Sequence, residues 1–354
     1  MIQPREAIAL MDGYHSPQVD VKVRLNTNES PVPPPDAWRR AYAEAVDAIE
    51  WHRYPDRSAR ELRAAIAALH EVEPSQVFVA NGSNEVLQTL LLTYGGHGRR
   101  AAVWEPTYAL HSHIARITGT EVVEGERAAD LSTDLDEVRR VVTQSSPSVA
   151  FLCSPNNPTG LVDREEVVAE ALALVESVDG LLVVDEAYGQ FAPWSAVGAV
   201  DDRSPLVVTR TFSKTWSMAA ARLGYLVGPA AVVSELDKVV LPYHLDTAKQ
   251  LAGTLALEHV DEMQARVAHV VEERGRLTRG LGELPVEVWP SGANFVLFRP
   301  LDLSGGAVWQ ALLDRSILVR NFATMPRLEG CLRVTVGTPE EDDAFLDALR
   351  EILT

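Results

Sequence analysis

Leu206-Val207-Val208-Thr209-Arg210-Thr211-Phe212-Ser213-Lys214-Thr215-Trp216-Ser217 runs from an unbroken apolar stretch into a lysine set among hydroxyl residues. Leu206-Val207-Val208 shows no alternation of apolar and polar residues, the pattern of a strand buried on both faces. Lys214 falls just past that strand, where the chain turns, and Ala221-Arg222-Leu223-Gly224-Tyr225 follows. A lysine amine condenses with an aldehyde when its surroundings keep it partly deprotonated. Lys214 is therefore a candidate for covalent attachment, with Ser213 and Arg222 placed to hold a phosphate on the same ligand. Taken alone, the same residues also describe a surface lysine in a loop.

Working outward, the same kind of apolar run recurs. Val77–Ala80, Ala101–Trp104, Glu121–Val123, Val149–Leu152, Leu181–Val184 and Leu223–Val227 alternate with helical stretches. This order predicts a mostly parallel sheet covered on both faces, with ligands gathering at the carboxyl ends of its strands. The polar motifs lie at those ends. Towards the N-terminus, residues 1–35 lack periodicity and end in Ser30-Pro31-Val32-Pro33-Pro34-Pro35, which predicts an extended arm. Asp36 is expected to cap a helix reaching about Glu50, and Ser58 another reaching His70. A long helical region over 246–281 precedes strands at Asn294–Phe298, Ile317–Arg320 and Cys331–Val336, the makings of a smaller α/β domain. The expected division is an arm or small-domain segment over 1–35, a large domain over 36–245 and a small domain over 246–354.

Composition narrows the function classes. The chain has 354 residues, 46% hydrophobic and 23% charged, ordinary for a globular protein. A net charge of −18 repels phosphate-rich partners, which argues against nucleic acid and anionic membrane surfaces. A local cluster of arginines still permits a small phosphorylated substrate. The two cysteines, Cys153 and Cys331, sit inside apolar runs and indicate a reducing compartment rather than a disulfide scaffold. No signal-peptide core and no run near the roughly 20 apolar residues of a membrane span is present, so a soluble cytoplasmic protein is expected. His111 and His113 face different sides of a helix and make a poor metal pair, and no metal is assigned.

Three further motifs carry chemistry. Asn81-Gly82-Ser83-Asn84 opens a helix after a strand, where free backbone amides and the macrodipole favour an anion; simple capping would account for it equally. In Ser154-Pro155-Asn156-Asn157-Pro158-Thr159-Gly160, Asn157 would present an amide above the sheet, although turn residues are expected there in any protein. Asp185, at the end of a buried strand, needs a positive partner. A protonated pyridine nitrogen is one such partner and would make the ring an electron sink. A structural salt bridge is the other. Tyr188 would lie beside it as a hydroxyl donor.

In this order, Tyr54, Asn81-Gly82-Ser83, Tyr108, Asn157-Pro158-Thr159-Gly160, Asp185, Tyr188, Ser213-Lys214, Arg222 and Arg333 resemble the fold-type-I aminotransferases, which use pyridoxal 5′-phosphate. Within that superfamily the resemblance is to the histidinol-phosphate aminotransferases. It is carried by Arg24-Leu25-Asn26-Thr27-Asn28-Glu29, Arg53-Tyr54-Pro55-Asp56, Leu241-Pro242-Tyr243-His244-Leu245 and Leu332-Arg333-Val334-Thr335-Val336-Gly337-Thr338. The resemblance implies that Lys214 carries the cofactor and shuttles a proton between the substrate's Cα and the cofactor's C4′. It implies that Asp185 meets the pyridine nitrogen, Asn157 and Tyr188 its phenolate oxygen, and Tyr108 the ring face. Ser83, Asn84, Ser213, Arg222 and a neighbouring subunit's Tyr54 would hold the cofactor phosphate, making the dimer the smallest active unit. Arg333 would grip an α-carboxylate with Asn294 beside it. Arg320 and the partner's Tyr14 would meet the substrate's phosphate, and Asn28 and Tyr243 would complete the substrate site. The chain departs from the family where Ser30-Pro31-Val32-Pro33-Pro34 replaces the usual Asn-Pro-Tyr-Gly-Pro, next to the substrate.

The implied reaction exchanges an amino group between histidinol phosphate and 2-oxoglutarate, both small molecules. An aromatic amino acid such as phenylalanine is the alternative substrate, and decarboxylation of a phosphorylated amino acid an alternative reaction. A non-catalytic sensor would lack a need for Lys214 and would carry a DNA-binding module, which this acidic chain does not show.

Overall fold

The computed structural model describes residues 2–9, 11, 13 and 19–354. A single turn, α1 (Glu6–Ala9), and a short strand, β1 (Val23–Leu25), precede α2 (Asp36–Asp47) and α3 (Arg60–His70). Strands and helices then alternate: β2 (Val77–Ala80), α4 (Ser83–Tyr94), β3 (Arg100–Glu105), α5 (Leu110–Thr118), β4 (Glu121–Glu126), α6 (Leu135–Ser145), β5 (Val149–Cys153), α7 (Glu165–Glu176) and β6 (Leu181–Asp185). β7 (Leu206–Thr211) and β8 (Gly224–Val227) complete this half. Next come α8 (Ala230–Val239), α9 (Thr247–Ala256), α10 (Val260–Gly282), β9 (Val286–Val288), β10 (Phe295–Pro300), α11 (Gly305–Asp314), β11 (Ile317–Asn321), β12 (Leu332–Thr335) and α12 (Pro339–Leu353).

The large domain is organised on a seven-stranded sheet in the order β2-β8-β7-β6-β5-β3-β4. Only β8 runs against its neighbours; the other pairings are parallel. The unbroken apolar runs have a direct structural cause. Leu182, Val184, Leu206 and Val208 point into one core and Leu181, Val183 and Val207 into another, so both faces of each central strand are buried. At the outer edge, β4 carries Glu121, Glu124 and Glu126, charges that blunt an open edge.

A five-stranded sheet, β1-β11-β12-β10-β9, forms the small domain. It is antiparallel except where β1 pairs with β11. Thus the N-terminal arm is part of this sheet, with Leu25 in the core beside Phe295, Phe298 and Phe345. Three residues are too few to show a period, which is why the arm reads as extended chain in the sequence.

Helix starts differ from expectation. Asp36 is the first residue of α2, following Pro35, and its side chain caps nothing. Ser58 does not cap α3; the Asp56 carboxylate accepts from the amides of Ser58 (3.0 Å) and Arg60 (3.1 Å) and does that work instead. The long helical region of the tail is α9 and α10 joined by a tight turn at Leu257–His259. Cys153 and Cys331 are buried free thiols. Among the described residues no helix is long and apolar enough to cross a membrane, and no cluster of three or more His, Cys, Asp or Glu stands ready for a metal.

Candidate active site

Past β7 the chain folds back on itself. The Thr211 Oγ1 accepts from the Ser213 amide at 3.1 Å and lies 2.9 Å from the Ser213 Oγ, while Phe212 is buried against Trp216 and Tyr225. This turn brings Lys214 against the segment that follows β1. Its Nζ donates to the Thr27 carbonyl at 3.1 Å and stands 5.7 Å from the centre of the Tyr188 ring. Burial pushes the ammonium down to about 7, and the nearby guanidinium groups of Arg333 and Arg222 act in the same direction against the opposing pull of Glu29. A substantial fraction of the amine is therefore free at neutral pH, the state a nucleophile needs.

Asp185 ends β6 and is 1% exposed. One carboxylate oxygen accepts from His111 Nε2 at 2.9 Å, the other from the Ala187 amide at 3.1 Å. His111 is itself stacked on Phe151, with centroids 4.7 Å apart, and meets Tyr108 edge-on at 5.3 Å. The sequence reading weighed His111 only as a metal ligand and missed this contact. The available signal was its position three residues after Tyr108, in the turn that opens α5, where the His111 amide donates to the Tyr108 carbonyl at 3.0 Å. Tyr188 is buried, with its phenol pushed up to about 12, chiefly by burial. Its hydroxyl accepts from Asn28 Nδ2 at 2.9 Å, which leaves its own proton to give. Of the adjacent asparagines, Asn156 is wholly buried and knits its loop to Thr107, Pro106 and Thr159. Asn157 presents its Oδ1 to Arg333.

An anion cradle lies beside Lys214. Ser83 begins α4, and Gly82 before it has φ 80°. A Cβ on Gly82 would stand 2.8 Å from Arg222 Nη2, so only glycine lets the guanidinium lie against the helix N-terminus. Arg222 Nη1 also donates to Ser213 Oγ at 3.3 Å. Tyr108 donates to Asn84 Oδ1 at 3.2 Å, joining ring face and cradle. The turn is braced from behind: Lys249 Nζ donates to Asn81 Oδ1 at 2.7 Å, and Asn81 Nδ2 donates to the His244 carbonyl at 2.9 Å. Lys249 went unremarked in the sequence because its partner is distant along the chain.

The small domain supplies the opposite wall. Arg333 on β12 is 5% exposed; Nη2 donates to the Asn26 carbonyl at 3.0 Å and its Cζ lies 4.9 Å from the Phe295 ring. Arg320 on β11 is its Cα partner across the two strands. The ring of Phe322 lies 5.8 Å from Arg320 Cζ and 5.4 Å from Arg333 Cζ. Phe322 was not singled out from the sequence, although two residues after Arg320 it shares a strand face. Asn294 Nδ2 donates to the Asn28 carbonyl at 3.2 Å, and its buried Oδ1 has no hydrogen-bond partner. Asn28 is pinned by Thr335 through both amide and side chain.

Contacts thus link Lys214 to Tyr188, Tyr188 to Asn28, Asn28 to Asn294 and Asn157 to Arg333, while Ser213 joins Arg222 beside the Ser83 helix start and Arg320 pairs with Arg333. Tyr54 and Tyr243 do not join them. They stack on each other at 4.5 Å on the surface, 79% and 42% exposed. Tyr14 lies outside the described residues.

The site suits pyridoxal 5′-phosphate. It offers a half-deprotonated lysine for the aldehyde, a buried carboxylate held by a histidine for the ring nitrogen, and an arginine against a helix N-terminus for the phosphate.

A model of the aminotransferase class I and II family matches residues 20–349. The histidinol-phosphate aminotransferase of Frankia casuarinae is 46% identical, covering 99% of this chain and 90% of its own. That of Streptomyces avermitilis is 44% identical, covering 96% and 93%. Among solved structures, histidinol-phosphate aminotransferase from Sinorhizobium meliloti in complex with pyridoxal-5′-phosphate superposes with a TM-score of 0.91 over 100% of this chain and 98% of that one, at 22% identity, a likeness of fold.

Proposed function

The chain belongs to the class I and II aminotransferases, and from that premise we propose that it exchanges an amino group between histidinol phosphate and 2-oxoglutarate. The observation that carries this is the placement of Arg320 and Arg333 as neighbours across β11 and β12, with Arg333 close enough to act on the Lys214 charge. Histidinol phosphate bears a phosphate and no carboxylate, whereas glutamate bears two carboxylates. Two adjacent guanidinium groups serve both, because the planar fork matches phosphate and carboxylate oxygens alike. The relatives of Frankia casuarinae and Streptomyces avermitilis, similar over nearly the whole chain, support the same substrate.

Pyridoxal 5′-phosphate, when bound, supplies the aldehyde that takes up the amino group and a ring that withdraws the electrons released at Cα. Lys214 would hold it covalently; Ser83, Asn84, Ser213 and Arg222 would hold its phosphate. Asp185, oriented by His111 Nε2, would meet the ring nitrogen. Tyr188 and Asn157 would serve the phenolate oxygen, and Tyr108 would cover the ring. With its amine free, Lys214 Nζ would act as the base that removes the proton from the substrate's Cα. Arg333, braced by Asn26 and Asn157, orients the substrate so that this proton faces Nζ, and Asn294 and Asn28 line the route.

The exposed stack of Tyr54 on Tyr243, near the exposed Leu241, supports a dimer in which Tyr54 reaches the partner's cofactor phosphate. Tyr14 and Tyr243 would join the substrate site in that assembly. The cytoplasm is the expected compartment for such small-molecule traffic.

The test is half-reaction spectroscopy on the purified holoenzyme, with histidinol phosphate, glutamate and phenylalanine added separately. Conversion of the cofactor to its amine form by the first two, with phenylalanine weak, is expected. Strong conversion by phenylalanine alone would move the enzyme to aromatic amino acids. Sedimentation of an active monomer would remove the shared site.

A further inference from the structure

Residues 322–331 connect β11 to β12, the two strands that carry Arg320 and Arg333. This loop is not left to itself. Phe322 and Cys331 close its base through a 3.1 Å bond from the Phe322 amide, Gly330 donates to the Ala323 carbonyl at 3.0 Å, and Leu328 is buried with Leu131 and Leu297. From its tip Arg327, at φ 65°, sends its guanidinium across to the large domain. Nη2 donates to the carbonyls of Arg127 (2.5 Å) and Ala128 (3.0 Å), and Nη1 to that of Glu105 (3.3 Å). An ion pair with Glu126 at 3.4 Å adds little, since that carboxylate is 78% exposed. The receiving carbonyls lie at or just beyond the carboxyl ends of β3 and β4. From Glu105 the chain runs directly into Pro106-Thr107-Tyr108, the segment that carries the aromatic ring assigned to the cofactor.

Resting on the assignment of Arg320 and Arg333 as the anion-binding pair, we propose that Arg327 is a positioning residue for substrate. It latches the β11–β12 loop onto the ends of β3 and β4, and so fixes Phe322 and the two arginines at their working distance from Lys214. Backbone carbonyls as acceptors explain why an arginine is needed there: its fork reaches several fixed oxygens at once, which a single ammonium cannot.

The proposal predicts a loss in substrate affinity with the cofactor chemistry intact. In Arg327→Ala holoenzyme, KM for histidinol phosphate and for glutamate rises about tenfold or more, the scale of lost charge-assisted hydrogen bonds, while kcat moves less. Arg327→Lys recovers part of the affinity, and Glu126→Gln behaves as wild type. Independently of turnover, hydrogen exchange of the Phe322, Leu328 and Gly330 amides quickens in Arg327→Ala, with the amides of β5 and β6 unchanged. Wild-type KM for both substrates in Arg327→Ala overturns the proposal, as does a fall in kcat and melting temperature with KM unmoved. A wild-type enzyme that converts neither substrate defeats the functional assignment instead, and the exchange measurement then still decides whether the latch exists.

Discussion

The two sheets meet at Lys214 and hold their active residues by different means. In the large domain each residue stands at the end of a strand buried on both faces: Asp185 on β6, Lys214 just past β7, Asn157 after β5, Ser83 after β2. Their positions follow from the register of the sheet. In the small domain the residues come from a three-residue strand, a loop and two short antiparallel strands, tied by side-chain contacts such as Arg333 to the Asn26 carbonyl and Arg327 to β3 and β4. The difference teaches a division of labour. On the proposed roles, the large sheet carries chemistry common to every substrate and the small one the contacts that choose among substrates. Changes in the first should depress kcat for all substrates alike, and changes in the second should separate them by KM.

The largest effect is expected at Lys214. Lys214→Ala should lower turnover with both substrates by about 10⁴-fold, the upper range for loss of a positioned base, while the protein still retains cofactor weakly through its phosphate. Retained turnover would sink the mechanism. Asp185→Asn should cost about 10²- to 10³-fold in kcat, equally for histidinol phosphate and glutamate, because it removes a preorganised charge next to the ring. A loss confined to one substrate would break the division between the sheets. Arg333→Lys should leave the cofactor spectrum unchanged and reduce kcat/KM by about 10- to 100-fold through KM, since an ammonium cannot reproduce the fork.

Two pH measurements sharpen the contrast further. With Lys214 held at about 7, capture of pyridoxal 5′-phosphate by apoprotein should rise as pH increases through about 7 and level off above it. A rise centred near the ordinary lysine value would mean the groove does not desolvate the amine. The smallest effect belongs to His70, which sits behind the large sheet against the Tyr225 hydroxyl at 2.8 Å and is pushed down to about 3, mainly by burial. Its folded form stays neutral while the unfolded chain takes up a proton below the ordinary value of 6.5. Its contribution to stability is thus complete above about 6.5 and is lost progressively as pH falls towards 3. His70→Gln should flatten that part of the acid-unfolding curve and leave both KM values alone.

Much of the large domain was legible because its signals are local. A strand buried on both faces must be apolar at every position, and a buried carboxylate or lysine at its end stands out against that background. The Ser213-Lys214 turn, Asp185 and the Asn81-Gly82-Ser83 helix start could each be read from a few neighbouring residues. His111 was misjudged because its role depends on Asp185, and no short-range pattern links the two. Arg327 and Lys249 were passed over for the same reason: each donates to carbonyl or amide oxygens far along the chain, and such acceptors carry no side-chain signature.

By itself the sequence determined the alternation of strands and helices, the burial of the central strands on both faces and the residue types at the strand ends. Those follow from desolvation and backbone geometry within a few residues. Only the tertiary structure decided that β1 joins the small sheet, that His111 supports Asp185, that Phe322 lies between two arginines and that Arg327 reaches across to β3 and β4. Each of these is a contact between segments whose spacing along the chain leaves the pairing open. Such pairings are selected by the packing of the whole core, where many weak contacts must be satisfied together.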